Sequence, residues 1–553
     1  MFIREKKSPH NPKKISVQIV ESVRDGKRVK QRIVRHVGVA MDEQEVEKLK
    51  DLAELIKAKI EHEHTPSLFS PEELASLAIS SRKRKDEEKE LYVDLKKLEE
   101  EQRVTIGFHE AYGKIYEQLG FDSLLKSRHG TSANNILRHI VMARIANPCS
   151  KRASVMLLEE DFGIRLDLNK VYRMMDKLDD QVILQIQKNA YHTTLSLFND
   201  KIDVIFFDAT TLYFESFTED ELKQNGFSKD HKFNQPQVIF SLMVTKEGLP
   251  IGYNVFPGST YEGHTLVSAL DKIKKQYQID KVVFVADAGM LQEKNLSLLE
   301  AAGYEYIISA RLKNLSSKFK EEILSQDFKK EKIKDLSFSE NRKLILHYSE
   351  KRAYKEAKDR DKAVSKLLKK VKKSKNATSL ISNYGYKKYL KMKGKTEFEI
   401  NEEKLQQEAQ WDGLCGIFTN SKDLSNEKII EQYKGLWQVE ESFRISKHDL
   451  KVRPIYHWTP QRIQAHIAIS FMSFCCVRLL EYRTKIQYKK LSPKVIRHAL
   501  SKIQISILKD WQNQRYVLPS RITTEGKKIY QILGLKSTST PFKLESPKPK
   551  FNK

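Results

Sequence analysis

The sequence predicts an α/β fold, and the pattern between residues 200 and 312 carries that prediction. Val204-Ile205-Phe206-Phe207 and Val282-Val283-Phe284-Val285-Ala286 are apolar runs without alternation, and each ends in an aspartate, Asp208 or Asp287. Helical patterns are interleaved with such runs, as expected for strands buried on both faces of a sheet. Gln237 to Val244 and Pro250 to Phe256 read as further strands separated by a turn at Gly248, and Tyr304 to Ser309 as another. Thr265 to Tyr277 fits a helix.

The flanking segments read differently. Ile15, Val17 and Ile19 alternate with polar residues, and Asp25-Gly26 supplies a turn, so 15–37 reads as a β-hairpin. Residues 42–100 are charged and helical in pattern, with Arg82-Lys83-Arg84-Lys85 as a solvated linker. In 105–195, Ser132 is a candidate cap for a helix from Asn134 to Ala146, with Pro148 beyond its end. Further helices fit Ser150 to Asp161 and Asn169 to Leu178. The basic, aromatic third member, with Tyr172, Arg173 and Lys177, admits a helix-turn-helix, and an ordinary helical bundle fits slightly better. Lys-rich residues 313–410 break the α/β rhythm and read as an insertion. A long helix is expected from Asn426 to Leu450 and an apolar one over 465–483, with a disordered tail beyond about 537. The expected organisation is an arm and linker (1–100), a helical region (101–199), two core halves (200–312 and 411–485) around an insertion (313–410), and a C-terminal region (486–553).

Composition narrows the function. The 553 residues include 99 Lys and Arg against 73 Asp and Glu, a formal charge of +26. Such a chain is drawn to a polyanion, nucleic acid first and an anionic membrane surface second, although a Lys-rich proteome would also raise the charge. The apolar stretch from Ile467 to Val477 is short for a bilayer and Arg478 follows it, so a core helix is expected. The N-terminal MFIREKKSPH has no apolar core and does not read as a signal peptide. Cys149, Cys415, Cys475 and Cys476 show no CxxC spacing, which argues against zinc and for a reduced cytosolic protein.

Asp208 and Asp287, each after a buried-looking run, would reach the same sheet edge, where α/β ligands bind. Either alone reads as a turn or capping residue. Together, in so basic a chain, they suggest a site for Mg²⁺, which prefers carboxylate oxygens. The long helix adds a third carboxylate. At ~3.6 residues per turn, Ile429, Tyr433, Leu436, Glu440, Phe443 and Lys447 share one otherwise apolar face. Glu440 and Lys447 there need partners, a metal and a phosphate or each other, whereas Glu441 is expected to face solvent.

The spacing Tyr433-x-x-Leu436-x-x-x-Glu440-x₆-Lys447 resembles the Tyr-Arg-Glu-Lys signature of bacterial insertion-sequence transposases of the DDE class. FDATTLYFES around Asp208 and VVFVADAGM around Asp287 fit the same family, in the same order. The resemblance implies an RNase H-like core interrupted by a β-rich insertion, with Asp208, Asp287 and Glu440 as catalytic ligands of two Mg²⁺ (or Mn²⁺) ions. It implies that Tyr433 and Lys447 hold DNA phosphates. The family's Arg position holds Leu436, and Arg444, one turn beyond Glu440, is the candidate substitute. Double-stranded DNA, a homodimer on that DNA and a bacterial cytosolic location are implied. The insertion's aromatics or Trp411 could stack on a displaced base, and Ser259, Glu262, His264, Asp230, His231 and Lys232 are possible supporting groups. A DNA-binding repressor derived from a transposase and a plain metal-dependent nuclease are the competing functions.

Overall fold

The computed structural model describes residues 1–7, 14–25, 28–64, 70–89, 93–125, 130–199, 202–226, 234–260, 265, 269, 283–287, 293–328, 330–373, 388–393 and 397–544. The chain divides into two compact units, 1–101 with 507–518 and 541–553, and 102–506 with 519–540.

In the first unit, β1 (Phe2–Lys7), β2 (Ile15–Asp25) and β3 (Arg28–Ala40) form an antiparallel sheet in that order. α1 (Glu43–His64) and α2 (Pro71–Lys89) follow. Val17 and Ile19 alternate toward one face and pack with Leu49, Ala53 and Ile56 of α1. The expected hairpin is present, with β1 added to it. The run Arg82–Lys85 lies inside α2 rather than in a linker, as straight-chain Lys and Arg permit.

The second unit opens at Gln102, within β4 (Glu99–Thr105), and continues with α3 (Gly107–Gln118), α4 (Gly130–Ala146), α5 (Lys151–Phe162), α6 (Leu168–Met175) and α7 (Asp180–Ser196). α4 starts before Ser132, which therefore lies in its first turn, whereas Ser150 and Asp167 do cap α5 and α6. These helices share one core with the sheet and the long apolar helix, so 101–199 packs as part of this unit.

The sheet combines β5 (Val204–Tyr213), β6 (Gln237–Thr245), β7 (Pro250–Pro257), β8 (Val283–Ala286), β9 (Glu305–Ala310), β10 (Ile333–Ser339), β11 (Arg342–Tyr348) and β14 (Leu414–Thr419) in the order β10-β11-β14-β9-β8-β5-β6-β7. β5, β8 and β9 are parallel neighbours, and β6 and β7 are antiparallel. Phe206, Leu242 and Val285 face one core; Phe207, Met243 and Ala286 face the other. Burial on both faces explains the unbroken apolar runs. Gly248 turns β6 into β7 at φ 78°, a conformation that favours glycine. The expected helix from Thr265 to Tyr277 lies outside the described residues except at positions 265 and 269.

The 313–410 segment departs from expectation. β10 and β11 extend the main sheet. Most of its other described residues are helical, with α8 (Glu293–Ala301) before the segment and α9 (Ser317–Leu324), α10 (Glu350–Lys373) and α11 (Glu402–Ala409) within it. Only the short pair β12 (Leu390–Lys393) and β13 (Glu397–Ile400) adds strand there among the described residues. Good helix formers, Lys, Glu, Arg and Ala, dominate α10.

The expected helix from Asn426 to Leu450 is three pieces: α12 (Asn426–Lys434), α13 (Trp437–Arg444) and a π-helical turn over Ile445–Asp449. α14 (Pro460–Gln487) is longer than expected, long and apolar enough to cross a membrane, yet 94% of its apolar window is buried within the protein. α15 (Pro493–Ser501) and α16 (Thr524–Leu533) complete the unit. Residues 537–544 are described and include the short strand Phe542–Lys543; the rest of the expected disordered tail lies outside the described residues.

Candidate active site

The site begins with strand register. Phe206 pairs with Val285, and Ala286 with Ile308. Continuing both by the same step sets Asp208, Asp287 and Ser309 level on three neighbouring parallel strands, about 4.8 Å apart per step. Asp208 and Asp287 each lie two residues beyond a side chain facing the α12–α14 side, so both belong to that face. Asp208 is in the middle of β5 rather than at its end, because β5 continues against β6 beyond the point where β8 stops. Its Oδ1 accepts from the Ala209 N–H at 2.7 Å.

The α12–α13 segment crosses this face. Tyr433 hydrogen-bonds Ser309, and its phenol is held above its usual range by burial and by the charge of Asp287. Lys447 Nζ donates to Thr210 Oγ1 at 2.5 Å, two residues along β5 from Asp208. Thus Tyr433 marks the Asp287 side and Lys447 the Asp208 side, with Glu440 midway between them in sequence. Close approach is required here: a Cβ at Gly435 would meet the Phe206 ring at 2.6 Å.

The side chains of this segment correct two expectations. Glu440 is exposed rather than set into an apolar face, whereas Glu441, expected in solvent, is only 18% exposed. The break at Gly435 and the π turn after Arg444 interrupt the 3.6-residue period on which a single-helix phase rests. Glu441 lies 3.5 Å from Arg444, which also pairs with Asp449 at 3.3 Å. Arg444 is 53% exposed, so it remains reachable from solvent. Leu436, at the family's Arg position, is buried and packs with Val439 and Phe443 in the main core.

A buried basic cluster anchors the far end of the segment, and its residues carry no signal in the sequence that singles them out. Arg144 on α4 donates to the Leu450 and Lys451 carbonyls at 2.9 and 3.1 Å. Arg497 on α15 donates to the Asp449 carbonyl at 2.7 Å. Cations facing the last carbonyls of a helix also answer its dipole. His466 meets the Val452 carbonyl at 3.0 Å, while Lys151 lies 3.4 Å from its other ring nitrogen. Burial, with Lys151 and Arg144 beside it, drives the His466 imidazole far below its usual range. Lys151 is pushed down in the same way, by burial and then by Arg144.

Beside Ser309 and Tyr433 lies a cavity of about 510 Å³, lined also by Trp411, Arg352, Arg360 and Lys388. Trp411 both lines it and packs against the second core. Among the supporting candidates, Ser259 hydrogen-bonds Gln224. Asp230, His231, Lys232, Glu262 and His264 lie outside the described residues.

The donor chemistry suits a hard divalent cation, since Asp208 and Asp287 offer carboxylate oxygens at one level of the sheet. Among the described residues, no three or more His, Cys, Asp or Glu side chains are gathered as a metal-binding group, so Glu440 is not drawn onto the pair in this structure.

Comparison with known proteins bears on this arrangement. The family described as "Transposase DDE domain" matches residues 199–476, and "IS1634 family transposase, N-terminal domain" matches residues 3–66. No curated protein matches the chain. Among solved structures, the piggyBac transposase synaptic complex with hairpin DNA is similar at 9% identity and TM-score 0.37, over 72% of this chain and 79% of that one. The Mos1 transposase paired-end complex with left transposon end is similar at 14% identity and TM-score 0.14, over 29% of this chain and 53% of that one. A Mos1 mariner paired end complex with Mn is similar at 13% identity and TM-score 0.13, over 41% and 71%. With its DDE domain matched across half its length and its N-terminus matched by an insertion-sequence domain, the chain belongs to the insertion-sequence DDE transposases and is a DNA transposase.

Proposed function

We propose that this transposase cleaves DNA at the ends of its element and joins the freed 3′-OH to target DNA on an RNase H-like core, with Asp208, Asp287 and Glu440 as the ligands of two divalent cations. The observation that carries this reading is the register that sets Asp208 level with Asp287 beneath the Tyr433–Lys447 segment. The strand order β7-β6-β5-β8-β9, with β5, β8 and β9 parallel, supports the RNase H-like description.

Water attacks the phosphodiester at the element's end and releases a 3′-OH, which then attacks a phosphodiester of the target. Each step exchanges one P–O bond for another, so no protein nucleophile is required. Bound Mg²⁺ or Mn²⁺ supplies activation of the attacking oxygen and stabilisation of the leaving one. Asp208 and Asp287 hold the cation site from the sheet, and Glu440 contributes the third carboxylate from α13. The Lys447 ammonium exchanges Thr210 for a phosphate oxygen, and the Tyr433 hydroxyl positions the backbone on the Asp287 side. Arg444 is a further phosphate contact. Two copies act together, since two ends must be joined in concert. The four free thiols accord with a bacterial cytosolic location.

The test incubates full-length protein with labelled duplexes from the DNA flanking its gene, supercoiled target plasmid and Mg²⁺. Joined product is expected. Cleavage without joining would identify a nuclease instead, and binding without either would identify a repressor.

A further inference from the structure

The N-terminal unit segregates its charge. Residues 1–40, which hold the three strands, carry eleven Lys or Arg against three acidic residues. Residues 41–64, which hold α1, reverse the balance, with eight acidic residues against four Lys. One face of the sheet is closed by α1 through Val17, Ile19 and Leu49. The opposite face has a different chemistry. Arg4 on β1 donates to Gln18 on β2 and Gln31 on β3 at 2.7 and 2.8 Å, linking all three strands. Ser16 pairs with His36 at 2.8 Å and accepts from Gln18 at 3.1 Å. Gln31 and His36 are exposed, as are Ile33 at 51% and Val39 at 50%.

We infer that this face of the sheet, opposite α1, reads double-stranded DNA in the major groove and supplies the transposase with sequence recognition. Two neighbouring strands of the sheet, ~4.8 Å apart, make a ribbon of the kind that the ~12 Å major groove admits. The side chains are those that read base edges there: Gln pairs with adenine, Arg with guanine, Ser with either, and aliphatic groups with the thymine methyl. The bond from Arg4 holds exposed Gln31 in place before DNA arrives, and Gln18, only 8% exposed, supports Arg4 from within the sheet. By register, Arg4, Lys6 and Arg24 share this face with no acidic residue and draw the phosphates, while the acidic helix on the other side is repelled from them. The DNA-reading element is thereby the sheet, not the α4–α6 helices that admit a helix-turn-helix. The inference rests on the transposase reading above, but recognition is separable from the chemistry.

The test uses the full chain and a random-sequence duplex library, selected by binding and sequenced, with Mg²⁺ omitted so that no cutting intervenes. Wild-type protein is expected to enrich a motif. Gln31→Ala and His36→Ala alter exposed side chains outside the α1-facing core. Each should relax preference at one or two positions of the motif, with affinity for the selected duplex falling about 5- to 100-fold. Affinity for unselected duplex should change little. Lys6→Ala, an exposed change on the Ser16 side of the sheet, should weaken binding to both duplexes and lower the salt slope by about 0.9. Arg173→Ala with Lys177→Ala on the α6 segment should leave the motif intact. The inference is overturned if wild type enriches no motif, if the sheet variants keep it unchanged, or if only the Arg173 and Lys177 change removes it. Asp208→Asn separates the two readings: it should keep the motif while losing cleavage, and lost binding in that variant would count against the division of labour.

Discussion

Arg144→Met asks how the Tyr433–Lys447 segment is held. Arg144 is 3% exposed, and Met has nearly its length without its donors. The change leaves the Leu450 and Lys451 carbonyls without their cationic partner. A hydrogen bond to a charged group contributes about 1.5–3 kcal/mol. Against that stands relief for Lys151, which Arg144 helps to drive below its usual range. A net loss of about 2–4 kcal/mol follows from setting that relief against two such bonds. The loss falls locally, on the stretch closed by Leu450 N–H to the Ile445 carbonyl and Val452 N–H to the Ser446 carbonyl. At tenfold per ~1.4 kcal/mol, amide exchange there should rise roughly 30- to 800-fold. Hydrogen exchange of peptides covering 445–455 measures it. Cleavage should fall in parallel, because Lys447 lies on the loosened stretch, while retention of selected DNA should hold. If exchange over 445–455 stays unchanged while the whole protein melts earlier, Arg144 is an ordinary core residue and the anchoring argument fails.

Asp208→Asn, Asp287→Asn and Glu440→Gln should each reduce cleavage and joining by at least about 100-fold with duplex binding retained; near-wild-type turnover in any one removes that residue from the triad. Gly435→Ala forces a methyl to 2.6 Å from the Phe206 ring. It should cost about 1–3 kcal/mol in denaturant unfolding, and an unchanged midpoint would show that the segment does not bear on the sheet there. Acid should destabilise the protein through His109 and His139, which stand 3.1 Å apart. Burial lowers them to about 3 and about 4. Between those values and ~6.5 the unfolded chain binds protons that the folded chain refuses, so stability is full above ~6.5 and falls with falling pH, by up to about 1.4 kcal/mol per pH unit for each histidine. Unfolding curves from pH 7 to 4.5 should therefore be flatter for His109→Phe, and identical slopes would rule the pair out as the cause.

Elements whose signal is local are legible in the residues alone. Both unalternating runs are strands because burial on two faces leaves no polar position in Val204–Phe207 or Val283–Ala286. Ser150 was readable as the start of a helix, and Gly248 as a turn. Tyr433 and Lys447, singled out by spacing, do reach the face that carries Asp208 and Asp287. What the tertiary structure decided is what depends on distant partners. Strand periodicity does not say which strands are neighbours, so the level pairing of Asp208 with Asp287 rests on the β5–β8 register. The segment 426–450 reads as one helix in the sequence, but the break at Gly435 resets its phase before Glu440, which is exposed while Glu441 is covered. The limits of the insertion depend on distant partners too, since β10 and β11, within 313–410, are claimed by the main sheet through β14. Arg144 and Arg497 look like any other basic residue in so basic a chain. They acquire a role only where two helices remote in sequence bring their guanidinium groups to the carbonyls at the end of the Lys447 turn, where a buried acceptor needs a donor.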